Sequence, residues 1–273
     1  GMTEALGPGT TLLDCDVEAP DAHLFFHEGP YMTETFSVPV PRVDPDRCTS
    51  CGACADFCAY GALAVVNGQV IIIDELCHSC GGCSIICPHD AIHEVERSIG
   101  MITTRRPANA TVISGELNVG EALAPPLIRS VKARGGAGGT TTGERDIVID
   151  APPGATCPVV ESIRGADAAV LVTENTPFGL HDLEIAAIVC RDLKVPAGVV
   201  INRVGIGFSD ELKLDSICRE YGLPILLRIP YSAKIASAYA KGGDIVASEP
   251  SLREGFAQLA RKTRAVAFGR SGS

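Results

Sequence analysis

The sequence predicts an α/β protein: a mostly parallel, doubly wound sheet interrupted by a small α+β segment. Three observations lead there. Short β-branched runs alternate with amphipathic stretches over most of the chain. Eight of the twelve cysteines fall between Cys48 and Cys87. A proline- and valine-rich stretch, Pro39–Pro45, precedes that cysteine-rich segment.

The 273 residues suit one large domain with a smaller one, and 46% hydrophobic residues supply a core. A net charge of −10 argues against nucleic acid or an anionic membrane as the main partner. No apolar run approaches the ~18 residues needed to span a bilayer. The opening Gly1-Met2-Thr3-Glu4 has no basic and apolar export signal, so a cytoplasmic location is expected; Gly1 reads as a cloning remnant.

In chain order, Thr11–Asp14 is the first strand-like run, and Pro39–Pro45 reads as the linker into the cysteine-rich segment, with its exit near Glu96–Gly100. This gives an inserted domain at 43–96 within a larger one at 1–42 and 97–273. The later runs are Ala110–Ser114, Asp146–Asp150, Ala168–Thr173, Gly198–Asn202 and Ile225–Ile229. Continuous apolar strands with helical crossovers suit a parallel sheet covered on both faces. Leu180, Leu183, Ala187 and Cys190 recur at helical spacing. Ser251–Val266 is amphipathic, and its four basic residues with a modest apolar face fit docking on the sheet better than gripping a membrane.

The cysteines form two runs, Cys48-Thr-Ser-Cys51-Gly-Ala-Cys54-Ala-Asp-Phe-Cys58 and Cys77-His-Ser-Cys80-Gly-Gly-Cys83-Ser-Ile-Ile-Cys87-Pro88. Both read C-x₂-C-x₂-C-x₃-C and repeat with a period of 29 residues, with Ala62-Leu63 matching Ala91-Ile92. Such spacing converges three thiolates on one iron–sulfur cluster while the fourth points away. Structural zinc on paired C-x₂-C knuckles is the alternative, and two complete four-cysteine runs in tandem argue against it. Gly52, Gly81 and Gly82 let backbone approach the cluster sulfides.

From Val43 to Glu96 the segment resembles a bacterial ferredoxin with two [4Fe–4S] clusters, except that Ala59 stands where the second run has Pro88. The resemblance implies Cys48, Cys51, Cys54 and Cys87 as ligands of one cluster and Cys77, Cys80, Cys83 and Cys58 as ligands of the other. Beyond the segment, LLDCDVEAPDAHLF (Leu12–Phe25), SGELNVGEALAPPLIR (Ser114–Arg129), DIVIDAPPGATCPV (Asp146–Val159), VTENTPFGLHDL (Val172–Leu183), VINRVG (Val200–Gly205) and IPYS (Ile229–Ser232) resemble the MinD/ParA superfamily of P-loop ATPases. The match is to its subgroup with an inserted ferredoxin domain, related to the nitrogenase iron protein and the Mrp-type carriers. It implies Mg-ATP as a second cofactor, Asp16 and Asp150 as acidic switch residues, Asn202 at the adenine, and a homodimer or a dimer with a paralogue.

That family carries a phosphate loop between its first strand and first helix, with backbone N–H groups and a lysine on the phosphates. Only eleven residues precede Leu12, and the first lysine is Lys132. Gly135–Gly143 is glycine-rich but lacks lysine and reads as a loop; Lys241-Gly242-Gly243 reads as a helix C-terminus. The sheet is therefore expected to lack its first strand and the chain to bind ATP poorly or not at all. A late start, a trimmed chain or loss of the function would each account for it.

Lesser features take plainer readings. Cys157 reads as a small residue in a tight loop, and Cys15, Cys190 and Cys218 as buried apolar residues. His78, His89 and His93 read as solvated neighbours of the cysteines, and His23 and His27 as no metal site. The expected function is an iron–sulfur electron carrier that serves a partner redox enzyme and is nucleotide-gated in its family. The alternative is a cluster carrier of the Mrp type delivering to an acceptor protein.

Overall fold

The computed structural model describes residues 2–26, 28–136, 146–206, 210–243 and 245–269. The chain opens with α1 (Met2–Leu6), β1 (Thr10–Asp14), α2 (Ala22–Phe25) and a long β2 (Tyr31–Val43). The cysteine-rich segment follows: α3 (Ala53–Phe57), β3 (Leu63–Val66), β4 (Gln69–Ile72), a 3-10 turn at Asp74–Leu76 and α4 (Gly82–Ile86). Then come β5 (Ile92–Arg105), β6 (Ala110–Leu117), α5 (Ala124–Arg134), β7 (Ile147–Asp150), α6 (Cys157–Ile163), β8 (Ala169–Glu174) and α7 (Pro177–Asp192). The remainder is β9 (Ala197–Val204), α8 (Glu211–Glu220), β10 (Ile225–Pro230), α9 (Ala233–Tyr239), α10 (Ile245–Ser248) and α11 (Leu252–Phe268).

The six expected apolar runs are β1 and β6 to β10. Their pairings with one another are parallel, β1 lying between β6 and β7 and β9 between β8 and β10, while β6 also pairs antiparallel with β5. One sheet has the order β2-β5-β6-β1-β7 and a second β10-β9-β8. Among the described residues β7 pairs only with β1 and β8 only with β9. The parallel strands are thus divided between two sheets. The opened edge leaves apolar side chains uncovered, and Val172 on β8 is 65% exposed.

Sequence reading missed how the cysteine-rich segment is carried. Pro39–Pro45, expected as a linker, lies mostly within β2, which runs antiparallel to β5 with Pro39 opposite Glu96 and Pro41 opposite Glu94. β2 is an edge strand, so its prolines can turn their missing N–H away from the ladder at no cost in pairing. The expected exit at Glu96–Gly100 is likewise continuous strand. Its only irregularity is a bulge, where Phe36 faces Gly100 and Ser37 faces Ser98, leaving Ile99 unmatched. Gly100 is required there, because a Cβ would meet the Glu116 carbonyl oxygen at 2.4 Å.

Separate cores support the parts. Val38, Val40, Ile99 and Leu123 pack with Cys54, Cys77 and Cys83 beneath the cysteine runs. Leu180, Leu183, Ala187 and Cys190 are the buried stripe of α7, as their spacing predicts. Leu259 of α11 packs on Val200 and Leu226, and Lys262 Nζ donates to the Leu226 carbonyl at 2.8 Å, so the tail docks on the sheet. Lys241 and Gly242 follow α9, whose Tyr239 carbonyl accepts the Gly242 N–H, the expected helix end. Most of the Gly135–Gly143 stretch, residues 137–143, lies outside the described residues. Among the described residues no helix is long and apolar enough to cross a membrane.

Candidate metal centres

The 29-residue repeat is repeated in the backbone. Ser50 and Ser79 have φ of 58° and 54°, Gly52 and Gly81 of 83° and 72°, Gly61 and Asp90 of 65° and 49°. Left-handed residues at matched places fold each run into the same tight loop, although serine and aspartate adopt that region uncommonly. Gly52 and Gly81 then cap matching one-turn helices, α3 and α4, which end at Cys58 and Cys87 in extended conformation. The Ala62 and Ala91 N–H groups donate to the sulfurs of Cys58 and Cys87 at 3.4 and 3.3 Å. Phe57 lies over Gly82 and ties the halves together, since a Cβ at 82 would meet its ring at 2.2 Å.

Cys48, Cys51, Cys54 and Cys87 line one cavity, together with Val43, Ile92 and His89. Cys87 reaches it from the second run. Burial pushes the Cys54 thiol above its ordinary value, and the charges of Cys48 and Cys87 add to that. In the other half, burial raises Cys83, with Cys77 and Cys80 acting on it in the same way. Cys58 is half-buried against the core that holds Cys77 and Cys83, the place Cys87 takes in the repeat. Cys51 and Cys80, also equivalent, are exposed.

Among the described residues no group of three or more His, Cys, Asp or Glu closes tightly enough to hold a single metal ion. The first four cysteines instead surround a space, as a cluster with a metal at each corner demands. Thiols that are crowded, buried and held by backbone N–H donors suit the charge of a bound cluster. Beside the second set, Tyr60 stacks on His78 with ring centroids 3.6 Å apart. His93 lies on β5 opposite Arg42.

The nucleotide residues implied by resemblance are divided. Asp14, which sequence reading passed over, stands opposite Asp150 across β1 and β7, and its carboxylate accepts the Ala22 and Asp16 N–H groups at 3.0 and 3.3 Å. Burial raises the Asp14 pKa to about 6, with Asp150 and Asp21 adding to it. Burial also raises Asp16 and Asp150, the latter feeling Asp21 and Asp16. Tyr239 donates to Asp21 at 3.3 Å. Asn202 is not part of this group: it lies in the last half of β9 in the other sheet, with its side-chain oxygen accepting the Arg203 N–H. The repeated aspartates of Leu13-Asp14-Cys15-Asp16 were the available signal for Asp14.

Of the remaining cysteines, Cys15 and Cys190 follow expectation and Cys218 does so in part, whereas Cys157, expected packed in a tight loop, does not. Cys15 and Cys190 are buried, burial pushing Cys15 up to about 12, and Cys218 is half-buried. Cys157 is exposed at the start of α6.

Residues 40–63 and 70–93 each match a family described as a 4Fe-4S binding domain. The uncharacterized protein MJ0579 of Methanocaldococcus jannaschii is 30% identical over 234 residues, covering 85% of this chain and 79% of that protein. The chain belongs to the MJ0579 family. This MJ0579-family protein has the fold of the MinD/ParA ATPases. The cell division ATPase MinD of Pyrococcus furiosus superposes with a TM-score of 0.52 at 17% identity, over 96% of this chain and 90% of that one. The septum site-determining protein MinD of Pyrococcus horikoshii, solved with Mg-ADP, gives 0.52 at 14% identity, over 100% and 89%. The MJ0579-family chain thus joins that fold to two 4Fe-4S binding segments.

Proposed function

We propose that this protein is an iron–sulfur electron carrier. Cys48, Cys51, Cys54 and Cys87 hold one [4Fe–4S] cluster, and Cys77, Cys80, Cys83 and Cys58 hold the other. The observation that supports this is Cys87, which leaves its own run to line the cavity of Cys48, Cys51 and Cys54. Each bound cluster supplies reversible one-electron chemistry. The chain's own part is to hold the thiolates, donate N–H groups to Cys58 and Cys87, and bury one side of each site. The acceptor is a partner redox protein, and the carrier works in the cytoplasm as a homodimer or with a paralogue.

Full four-cysteine coordination of both clusters favours cycling electrons over handing clusters to an acceptor. Mg-ATP binding at Asp16 and Asp150 is weak in this chain. Lys132 supports that reading: its Nζ is committed to the carbonyls of Glu161, Ser162 and Arg164 at 2.7, 2.9 and 2.7 Å. It has no free donor left for a phosphate.

The test is anaerobic iron and sulfide analysis, electron paramagnetic resonance after dithionite reduction, and an ATP titration of the same sample. About eight irons per chain with spin-coupled reduced clusters are expected, and Cys87→Ser should remove the coupling. Zinc in place of iron overturns the reading. Loss of iron to an apo-acceptor on each cycle favours the cluster-delivery alternative. A change in the cluster signal on adding ATP overturns the weak-nucleotide reading.

A further inference from the structure

The two halves of the repeat differ in one respect that the cysteine spacing hides. Among the described residues, the buried side-chain nitrogen and oxygen atoms without a hydrogen-bond partner are Ser79 Oγ, Ser84 Oγ, Arg97 Nε and Arg97 Nη2. Ser79 sits between Cys77 and Cys80, and Ser84 directly follows Cys83. The first half is satisfied at the same places: Ser50, the counterpart of Ser79, donates to the Gly68 carbonyl, and Ala55 stands where Ser84 would be.

Arg97 reaches the same region from β5. It shares a strand face with Val95 and Ile99, which pack on the core containing Cys77 and Cys83. Its Nη1 is anchored on Glu121 Oε2 at 2.6 Å, and Glu121 Oε1 accepts the Leu123 N–H at 3.1 Å. On the other side is Asp74, whose carboxylate receives the fork of Arg42 at 2.8 and 2.7 Å and also feels the charge of Arg97. Asp74 opens the turn that leads into Cys77, and Pro45 occupies its place in the first half. The cation before the first run, Arg47, instead pairs with an exposed Asp90.

Ser84 already bears on the Cys83 thiol through its side chain, and buried donors with no full partner, grouped in one place, call for an acceptor there. We propose that Ser79, Ser84 and Arg97 are positioning donors for the second cysteine set, and that they hold its cluster at a higher potential than the first. Reduction adds negative charge to a cluster, and N–H and O–H groups aimed at its sulfurs stabilise that charge. The electron then rests at the second site, and the first site relays it. The inference rests on the cluster reading of both sets.

The experiment is an anaerobic redox titration of the iron-loaded protein, with the two sites told apart by the paramagnetically shifted β-protons of Cys48 and Cys77. Ser84→Ala gives the second half the residue the first half already has, so folding is expected to be kept. Its second cluster should lose electron affinity by threefold or more. Arg97→Lys, which keeps the charge but loses the fork, should lower the same cluster by about tenfold, some 59 mV for one electron. Iron and sulfide content should not change. Unchanged potentials at full iron, equal shifts of both clusters, or a shift confined to the Cys48 site would overturn the proposal. A wild-type protein that takes up no iron fails the cluster reading itself and is recognised before any variant is made.

Discussion

Asp14 and Asp150 face each other in register at the ends of two parallel strands, β1 and β7. Asp14 is buried and carries a pKa of about 6 against an ordinary 3.8, first because of burial and then because of neighbouring carboxylates. Asp150 thus adds to the resistance that burial already sets against ionising Asp14.

That arrangement costs stability in a defined window. Below the unfolded value Asp14 is protonated in both states. Between 3.8 and about 6 the unfolded chain gives up its proton first, so stability falls as pH rises, and the full cost is present above that range. Asp14→Asn should raise stability at neutral pH by on the order of 2 kcal/mol. Urea unfolding at pH ~4 and ~7.5 should show the gain at the higher pH only.

Gly82→Ala should disturb the seam between the two halves, because the new methyl meets the Phe57 ring at 2.2 Å. Lower iron retention and a lower melting temperature are expected. Phe57→Ala in the same background should restore part of both, which a purely local helix effect would not do.

Lys132→Met should destabilise the packing of α5 against α6. Three carbonyls around the end of α6 lose their donor, at about 2–4 kcal/mol in all. Chemical denaturation measures the loss, and iron content per folded chain should stay unchanged.

Chelating the iron should loosen the cysteine segment selectively, because Cys54, Cys77 and Cys83 form part of its core. Hydrogen exchange should quicken across α3 and α4 and stay slow in α7 and β9, whose core is separate.

Much of this was legible in the sequence, and the reasons differ by feature. The cysteine repeat could be read because cluster ligation fixes spacing and residue type together. The strands β1 and β6 to β10 could be read because their apolar runs are continuous. β2 and β5 could not: two prolines and a row of exposed residues imitate a linker, and only the edge position of β2 makes them compatible with a strand. Asp14 and Asp150 became neighbours through sheet register, which no local pattern encodes. The same holds for Arg97, whose environment is built by Glu121 and Asp74 from either side of it. Asn202, which the resemblance put beside the nucleotide, lies within β9 in the other sheet from Asp14 and Asp150.

The division between β7 and β8 also decides how displacement travels through the molecule. The cysteine segment hangs from β2 and β5 on one sheet, whereas β8, β9 and β10 form another with which no strand pairing is shared among the described residues. A ladder of backbone hydrogen bonds would carry shear from one edge of a continuous sheet to the other. Here that load must pass through side chains such as Met2 of α1, which packs into the α11 core while its own chain runs directly on into β1. The two sheets are leaves on a common spine, and α1 is one of its stitches.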